Sequence, residues 1–397
     1  MRKTYTFLTW GLLLIVAVLA FPAGQAIAAD PGAGFGCLPL LGFAGLIDIF
    51  DTRTMLEAVE QMTRPGRWLR DTFFPADTPS DTDALDVDIV KGGRKMAPIV
   101  SPLMEGKVVT RAGFTTQTLK PGYIKPKMVT TAADLLKRQP GQVIYSGNQT
   151  IEDRAQVQLG KDLAELMDQI DRREEWMAAQ ALDLGKLTMT IKSESDDKSV
   201  EVDFQMAASH KVTLAGNDLW DNALSDPLAK LAALSQVIRK DSGLSPNVLV
   251  LDSTAACPAF LNHAKVQKFM DMRAVDMGEI KPAELPDGLT YIGRLRYPGL
   301  FVDVYCYDEW YEDETTGVLT PMVPVKKAWL GTTRSANRTQ YAVIQDMEAI
   351  EGGQAAVSRF PKSWTTKDPG VRWLMVQAAP LPTMKQPDAF VSVKVLA

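Results

Sequence analysis

One segment restricts the possible folds more than any other. From Thr150 to Leu184 the chain places Leu159, Leu163, Leu166 and Ile170 at intervals of 4, 3 and 4, and the apolar stripe continues through Met177, Ala181 and Leu184. That spacing predicts an amphipathic helix. Thr150 stands where it can cap the helix, and Glu152 and Asp153 occupy the first turn, where negative charge suits the macrodipole. Gly185 supplies the stop. At 1.5 Å per residue the helix would run to about 50 Å, longer than a usual globular helix and suited to a spanning role. Nine acids (152, 153, 162, 165, 168, 171, 174, 175 and 183) face four bases (154, 161, 172 and 173), a sum of −5. The same spacing would also suit a coiled coil, but the stripe lasts only about three heptads.

The stretch before this helix has the opposite charge. Residues 91–138 hold ten Lys or Arg and two acids, Glu105 and Asp134, a balance of +8. Val108, Phe114, Leu119, Tyr123 and Ile124 are scattered between turn residues such as Gly106, Gly113 and Pro121-Gly122. The pattern predicts a long, two-stranded basic loop. Phe114 and Tyr123 alone are thin material for base stacking, so nucleic acid is not the favoured partner. A basic loop and an acidic helix are electrostatically complementary, which makes Lys107, Arg111, Lys120, Lys125 and Lys127 on one side and Glu152, Asp162, Glu165 and Asp168 on the other candidates for pairing, between subunits if the family resemblance given below holds, with a plain solvated face as the alternative. Each exposed ion pair is worth only ~0–1 kcal/mol, so such contacts matter where they are repeated.

Composition excludes several classes. The chain has 397 residues, 43 Lys+Arg against 48 Asp+Glu, 46% hydrophobic and 23% charged residues, which is ordinary for a folded domain and unlike a disordered or polytopic membrane chain. A pI near 5.3 argues against a dedicated basic nucleic-acid binder. Three cysteines (Cys37, Cys257 and Cys306) without a C-x-x-C do not form a disulfide framework; they read as inert buried thiols of a reducing compartment. Two histidines, His210 and His263, give no metal-ligand spacing. No Walker A, G-x-G-x-x-G or G-x-S-x-G sequence occurs, so no cofactor, metal or catalytic group is expected. The acids of 308–314 lack the calcium-loop pattern and read as a solvated loop.

The first 47 residues stand apart. Arg2 and Lys3 precede an apolar run from Phe7 to Phe21, and Ala26-Ile27-Ala28 offers a small-residue cleavage pattern. Taken alone this resembles a secretory signal. A new register starts at Asp48, and Arg53–Glu60 has the look of a helix capped by Asp51 or Thr52. Residues 73–90 read as an extended arm ending in a strand through Leu85, Val87 and Ile89.

Beyond the long helix, Thr188–Ile191 and Val200–Phe204 flank a turn at 196–198, a hairpin. After Asp226-Pro227, Leu228, Leu231, Leu234 and Ile238 mark a helix ending near Gly243. Asn247–Leu251 is a short apolar strand, Cys257–Met272 is helical in pattern, and 290–292, 300–307, 326–330, 340–345, 372–378 and 389–395 read as strands. Strands and helices mix without strict alternation, which predicts α+β rather than doubly wound α/β. Trp364, Trp373 and Phe390 are expected as core aromatics.

The last fifty residues carry a resemblance. Ser358-Arg359-Phe360-Pro361-Lys362-Ser363-Trp364, Thr365-Thr366-Lys367-Asp368-Pro369, Gln377-Ala378-Ala379-Pro380-Leu381 and Pro387-Asp388-Ala389-Phe390-Val391-Ser392-Val393 follow one another in an order similar to the C-terminus of the lambda-type major capsid protein, the head protein E family of tailed phages. Upstream, Ile99-Val100-Ser101-Pro102 and Pro121-Gly122-Tyr123-Ile124-Lys125-Pro126-Lys127 resemble segments of the same family, in matching order. The likeness extends over about Asp48 to Ala397.

The resemblance implies the tailed-phage major capsid fold, Hong Kong 97-like and α+β. By order and length it implies a signal-like or mis-started segment at 1–47 and an N-arm at 48–90. An extended β-hairpin loop would span 91–145, reaching over a neighbouring subunit. A peripheral domain at 146–216 would carry the spine helix (150–184) and the hairpin (188–204), with an axial domain at 217–349 and a peripheral return at 350–397. The implied function is a structural, non-enzymatic head protein that assembles with itself into hexamers and pentamers of an icosahedral shell. Scaffold, protease, portal and decoration proteins are implied partners, and packaged DNA would touch the inner face non-specifically. The implied location is the virion, after assembly in the host bacterial cytoplasm and with no membrane in the mature form. The rival reading is an exported periplasmic binding or hydrolytic protein, carried by the signal-like start.

Overall fold

A computed structural model gives the protein in full-atom detail. It describes residues 52, 55, 56, 59, 67–90, 96–106, 108, 113–136, 151–192, 198–271, 288–314 and 316–397. The readings that rest on residues 1–51 and the Thr150 cap lie outside the described residues; Thr52 is described as helical, its hydroxyl donating to Glu348 at 2.9 Å.

The architecture is built round a six-stranded mixed sheet. Its order is Lys211–Thr213, Val391–Lys394, Lys327–Gly331, Val248–Asp252, Leu300–Tyr307, Leu289–Tyr297. Val248–Asp252 is buried on both faces, as an uninterrupted Val-Leu-Val-Leu run requires of an inner strand. Alternate residues serve two cores. Leu249, Leu251, Ala328 and Leu330 face Leu231 and Ile238 of the helix Pro227–Asp241 and Phe260 of the helix Ala256–Leu261. Val248, Val250 and Trp329 face Leu69 and Phe73 of the helix Trp68–Phe73 and Ala178, Ala181 and Leu182 of the long helix.

The predicted long helix runs from Ile151 to Leu184, 34 residues. It ends as read: Gly185 adopts φ 62°, where a side chain is strained, and its N–H bonds to the Ala181 carbonyl at 2.9 Å. The N-terminal half of the helix lays Leu163, Leu166, Met167 and Ile170 on Leu374, Val376 and Ala378. Leu374 and Val376 belong to a three-stranded sheet in which Val371–Gln377 lies between Phe360–Thr366 and Lys127–Thr131, and Ala378 follows it directly. The hairpin after the helix is Lys186–Ile191 paired with Lys198–Asp203.

Leu85–Val90 pairs antiparallel with Phe114–Leu119. Leu85, Val87 and Ile89 point into the core, while Asp86 and Asp88 point out and accept from the Thr118 and Thr116 hydroxyls, each at 2.6 Å. The two-stranded root of the basic loop therefore takes one strand from before Lys91. The strand Lys127–Thr131 belongs to the sheet under the long helix.

The reading of inert thiols is corrected. Cys257 and Cys306 form a disulfide with a Cα separation of 6.2 Å. Val248–Asp252 and Leu300–Tyr307 are parallel neighbours, with Leu251 opposite Cys306. The helix that begins just after the first strand thus starts beside the end of the second. The two cysteines are 49 residues apart in sequence, a separation that no spacing rule can join. The helical pattern from Cys257 to Met272 divides in two, Ala256–Leu261 and Ala264–Asp271, around a buried His263. Phe390 is in the core as expected; Trp364 and Trp373 stack at 6.3 Å, half-buried on the three-stranded sheet.

Candidate assembly surfaces

The basic side of the expected pairing is only partly free. Lys107 and Arg111 lie outside the described residues. Lys120 bonds Asp83 of the preceding segment at 2.6 Å, on the surface. Lys125 sits 4.9 Å over the Tyr123 ring and Lys127 4.9 Å over the Trp373 ring. Tyr123 is itself tied down, its hydroxyl donating to the Val343 carbonyl at 2.8 Å.

On the acidic side, Glu152 is in the helix, but its side chain lies outside the described residues. Asp162 is turned inward: it accepts from Gln158 and from the Thr130 hydroxyl, and burial pushes its carboxyl pKa up. Glu165 is exposed. Asp168 is half-buried, with its pKa raised by burial and then by Asp171. Lys161 and Arg172 share this outer stripe, so its charge is mixed.

The helix acids serve mainly the interior, which composition could not reveal. Of the nine, Asp162, Asp171, Glu174, Glu175 and Asp183 are buried. Arg359, 1% exposed, contacts Asp171 at 2.8 Å and Glu174 at 2.7 Å. Arg67 reaches Asp171 at 3.0 Å, and Arg70 donates to the Tyr341 hydroxyl at 2.6 Å. Burial alone would raise the Glu174 carboxyl pKa, but Arg359, with Arg70 and Arg67 behind it, holds it below the ordinary carboxylate value. Glu175 accepts from the backbone N–H groups of Leu69 and Arg70 at 2.7 and 2.9 Å and from the Tyr307 hydroxyl at 2.5 Å. It thereby satisfies free donors of the helix Trp68–Phe73, and burial pushes its pKa up to about 7. Asp183, at the far end, holds Lys327 at 2.6 Å, the Ser392 hydroxyl at 2.8 Å and the Trp329 indole N–H at 3.3 Å.

The loop carries a feature that charge counting missed. Residues 96–106 have no regular structure and every one is exposed. Met96 is 92% and Leu103 98% exposed; Ile99, Val100, Met104 and Val108 are exposed with them. Their signal was present in sequence as the apolar Ile99-Val100-Ser101-Pro102 and Leu103-Met104. The acidic loop near 308–314 is not simply solvated: Glu314 pairs with Arg173 of the long helix and with Lys192 at 3.3 Å. Its other members include the short strand Trp310–Glu312, paired with Leu319–Pro321. Among the described residues no His/Cys/Asp/Glu group could hold a metal, and no helix is long and apolar enough to cross a membrane.

A long helix under a three-stranded sheet, a two-stranded arm projecting an irregular loop, and a separate central sheet with its own helices define a class of protein, the subunits of the Hong Kong 97-like, tailed-phage capsid fold. A crystal structure of a prophage capsid protein from Escherichia coli CFT073 has this fold, with a TM-score of 0.64 and 18% identity over 87% of this chain and 99% of that one. A phage-related protein from Bordetella bronchiseptica RB50 shares it at a TM-score of 0.51, with 14% identity over 86% of this chain and 96% of that one. The family model for phage major capsid protein E matches residues 51–395, and the chain belongs to that family. It is 29% identical over 357 residues to the major capsid protein of Escherichia phage lambda, covering 88% of this chain and 99% of that protein. It is 28% identical over 354 residues to the major capsid protein of Enterobacteria phage phi80, again 88% and 99%. The chain is a structural head protein of phage or prophage type, and this reading displaces the exported binding or hydrolytic protein.

Proposed function

We propose that copies of this chain assemble, as hexamers and pentamers, into an icosahedral shell around DNA, joined by the loop between Leu85–Val90 and Phe114–Leu119 laid across the neighbouring subunit's long helix. The observation that carries this is the exposed apolar run Met96, Ile99, Val100, Leu103, Met104 and Val108. A soluble monomer rarely exposes a contiguous patch of large apolar residues unless something covers it. The helix carries exposed Glu165 and half-buried Asp168, and Lys107 and Arg111 lie at the end of the apolar run in sequence. The apolar residues therefore supply the adhesion, and the charges of loop and helix set the register. Lys120, Lys125 and Lys127, engaged within their own subunit, would position the loop rather than bridge subunits.

The test is assembly itself. The chain from Asp48 onward, produced in bacterial cytoplasm, is followed by sedimentation velocity and negative-stain microscopy. Shells or capsomers are expected, and the Ile99→Asp, Leu103→Asp double variant should give folded but unassembled subunits. A wild-type product that stays monomeric at high concentration would overturn the proposal, as would full assembly by the double variant.

A further inference from the structure

We infer that Cys257 and Cys306 are a thiol pair that stays reduced inside the producing cell and closes to a disulfide after the shell has left it, cross-linking the central sheet of every subunit once assembly is over. For the release step this rests on the shell reading above; the chemistry of the pair stands on its own geometry. The Cα separation of 6.2 Å lies within the range that a disulfide spans without backbone movement. Both side chains sit in the apolar core between the central sheet and its outer helices, with Leu251, Phe260 and Val304. There a thiol packs as a small apolar side chain. The fold therefore accommodates either oxidation state, and assembly does not wait for the bond.

Compartment then decides the timing. The glutathione and thioredoxin systems hold cytoplasmic thiols reduced, and a chain with three cysteines and no disulfide framework is ordinary there. After release that supply of reductant is gone. A small-molecule disulfide suffices as oxidant. The Cys257 thiolate attacks one sulfur of it, forming a mixed disulfide and expelling one thiolate. The Cys306 thiolate attacks the Cys257 sulfur, forming the protein bond and expelling the second. The pair loses two electrons to the small disulfide, and its two protons end on the two released thiols. Cys257 is 8% and Cys306 5% exposed, so both closing and reopening need a local opening of the sheet end, and the closed bond resists later reductant.

The bond ties the helix Ala256–Leu261 to the strand Leu300–Tyr307 and encloses the outermost strand, Leu289–Tyr297, in the loop it closes. Free edges fray first. A cross-link that encloses an edge strand restricts the opened and unfolded states while leaving the folded contacts unchanged. The same subunit would thus be easy to assemble inside the cell and harder to unfold outside it.

The test uses the full chain. Cells making it are lysed directly into N-ethylmaleimide, and a second portion is lysed in air with oxidised glutathione before trapping. Both are denatured, digested without reductant and analysed by mass spectrometry, with Cys37 read separately on its own peptide. The first portion should show Cys257 and Cys306 alkylated, and the second a peptide linking 257 to 306. Reducing the oxidised protein should lower its melting temperature by about 5 °C or more, and Cys257→Ser should melt like the reduced wild type in either buffer. A bond already complete in the directly trapped cells overturns the timing; thiols that stay alkylatable after oxidation overturn the pairing. If Cys257→Ser does not fold, reduction of the wild-type protein gives the same comparison. Absence of particles in the same lysates would count against the shell reading alone, because the linked peptide is scored on soluble chain too.

Discussion

Arg359→Met should be among the most damaging substitutions available in this chain, and its damage should depend on pH. The guanidinium is buried against Asp171 at 2.8 Å and Glu174 at 2.7 Å and lies 5.7 Å from the Tyr341 ring. Methionine approximates the stem and removes the charge. Two carboxylates, each 1% exposed, then lose their main partner. Breaking a buried pair from one side costs about 3–5 kcal/mol, because the charge left behind is uncompensated. Arg67 stays 3.0 Å from Asp171 and Arg70 3.6 Å from Glu174, which places the expected loss at the lower end, about 3 kcal/mol. The pH dependence follows from Glu174. Its pKa is depressed in the folded protein from an ordinary 4.5. A depressed carboxyl contributes stability that is present above the ordinary value and lost as pH falls through the folded value. Removing Arg359 removes that contribution, so the deficit is largest near neutrality and shrinks below about pH 4.5, where the unfolded carboxyls are protonated as well. Urea unfolding of wild type and variant, followed by tryptophan fluorescence at pH 7.5 and pH 4, reads both quantities. A neutral-pH deficit under about 1 kcal/mol, or the same deficit at both pH values, would show that the arginine acts only as packing and would refute the charge reasoning.

Glu175 gives the opposite slope. Its pKa is raised to about 7 by burial, so the folded state holds the proton more tightly and stability falls as pH rises from about 4.5 to 7, by roughly 3 kcal/mol. Glu175→Gln should flatten that window, and an unchanged slope in paired urea titrations would contradict the assignment. Asp183→Asn should cost about 2 kcal/mol through its weakened hold on Lys327 and Ser392; a thermal shift indistinguishable from wild type would count against it. Gly185→Ala places a side chain at φ 62° and a Cβ against Met206, for a loss of about 2–4 kcal/mol. An unchanged melting curve would mean that the helix terminus can relax.

What the sequence made legible was periodic and local. The long helix, its glycine stop, the hairpin behind it and the all-apolar inner strand were readable because each is written in neighbouring residues. The helix after Asp226-Pro227 belongs to the same group, and the structure adds that Asp226 caps it, accepting from the Ala229 N–H at 3.0 Å. The role of the helix acids was not legible. Counting them assigned their charge to an outer face, whereas Asp171 looks inward to arginines 104 and 188 positions away, and Glu174 to the same Arg359. A buried acid and an exposed one have the same letter, and only the partner distinguishes them. Asp171, Glu174 and Glu175 lie on the side of the helix that also carries Ile170, Met177 and Ala178, so their place in the stripe was the one available hint. The strand Pro380–Thr383, paired with Arg338–Tyr341, was hidden for another reason. Two of its four residues are proline, which removes ladder donors and argues against a strand wherever the edge is unseen.

The buried charges bear on assembly through geometry more than through stability. Their wiring is incomplete: the Nε atoms of Arg67, Arg70 and Arg359 find no hydrogen-bond acceptor among the described residues. Ion pairs of this kind often return little more than they cost in desolvation. Yet they join segments from residues 67–70, 171–175, 307, 341 and 359 at one point on the long helix. Apolar packing alone tolerates small slides and rotations, since many arrangements bury similar area. A charged contact at 2.7–3.0 Å does not tolerate them, because a displaced partner leaves a bare charge in the core. The helix is therefore pinned to the central sheet at Asp183 and to the N-terminal and C-terminal segments at Asp171–Glu175. A subunit whose parts hold a fixed mutual orientation can close a curved lattice with weak contacts, because strain at one interface is not absorbed inside the subunit and misfitted copies detach. Rigidity within the subunit and weakness between subunits are in this respect one requirement. It accounts for a helix that keeps most of its described acids for its own interior, while the apolar loop stays exposed.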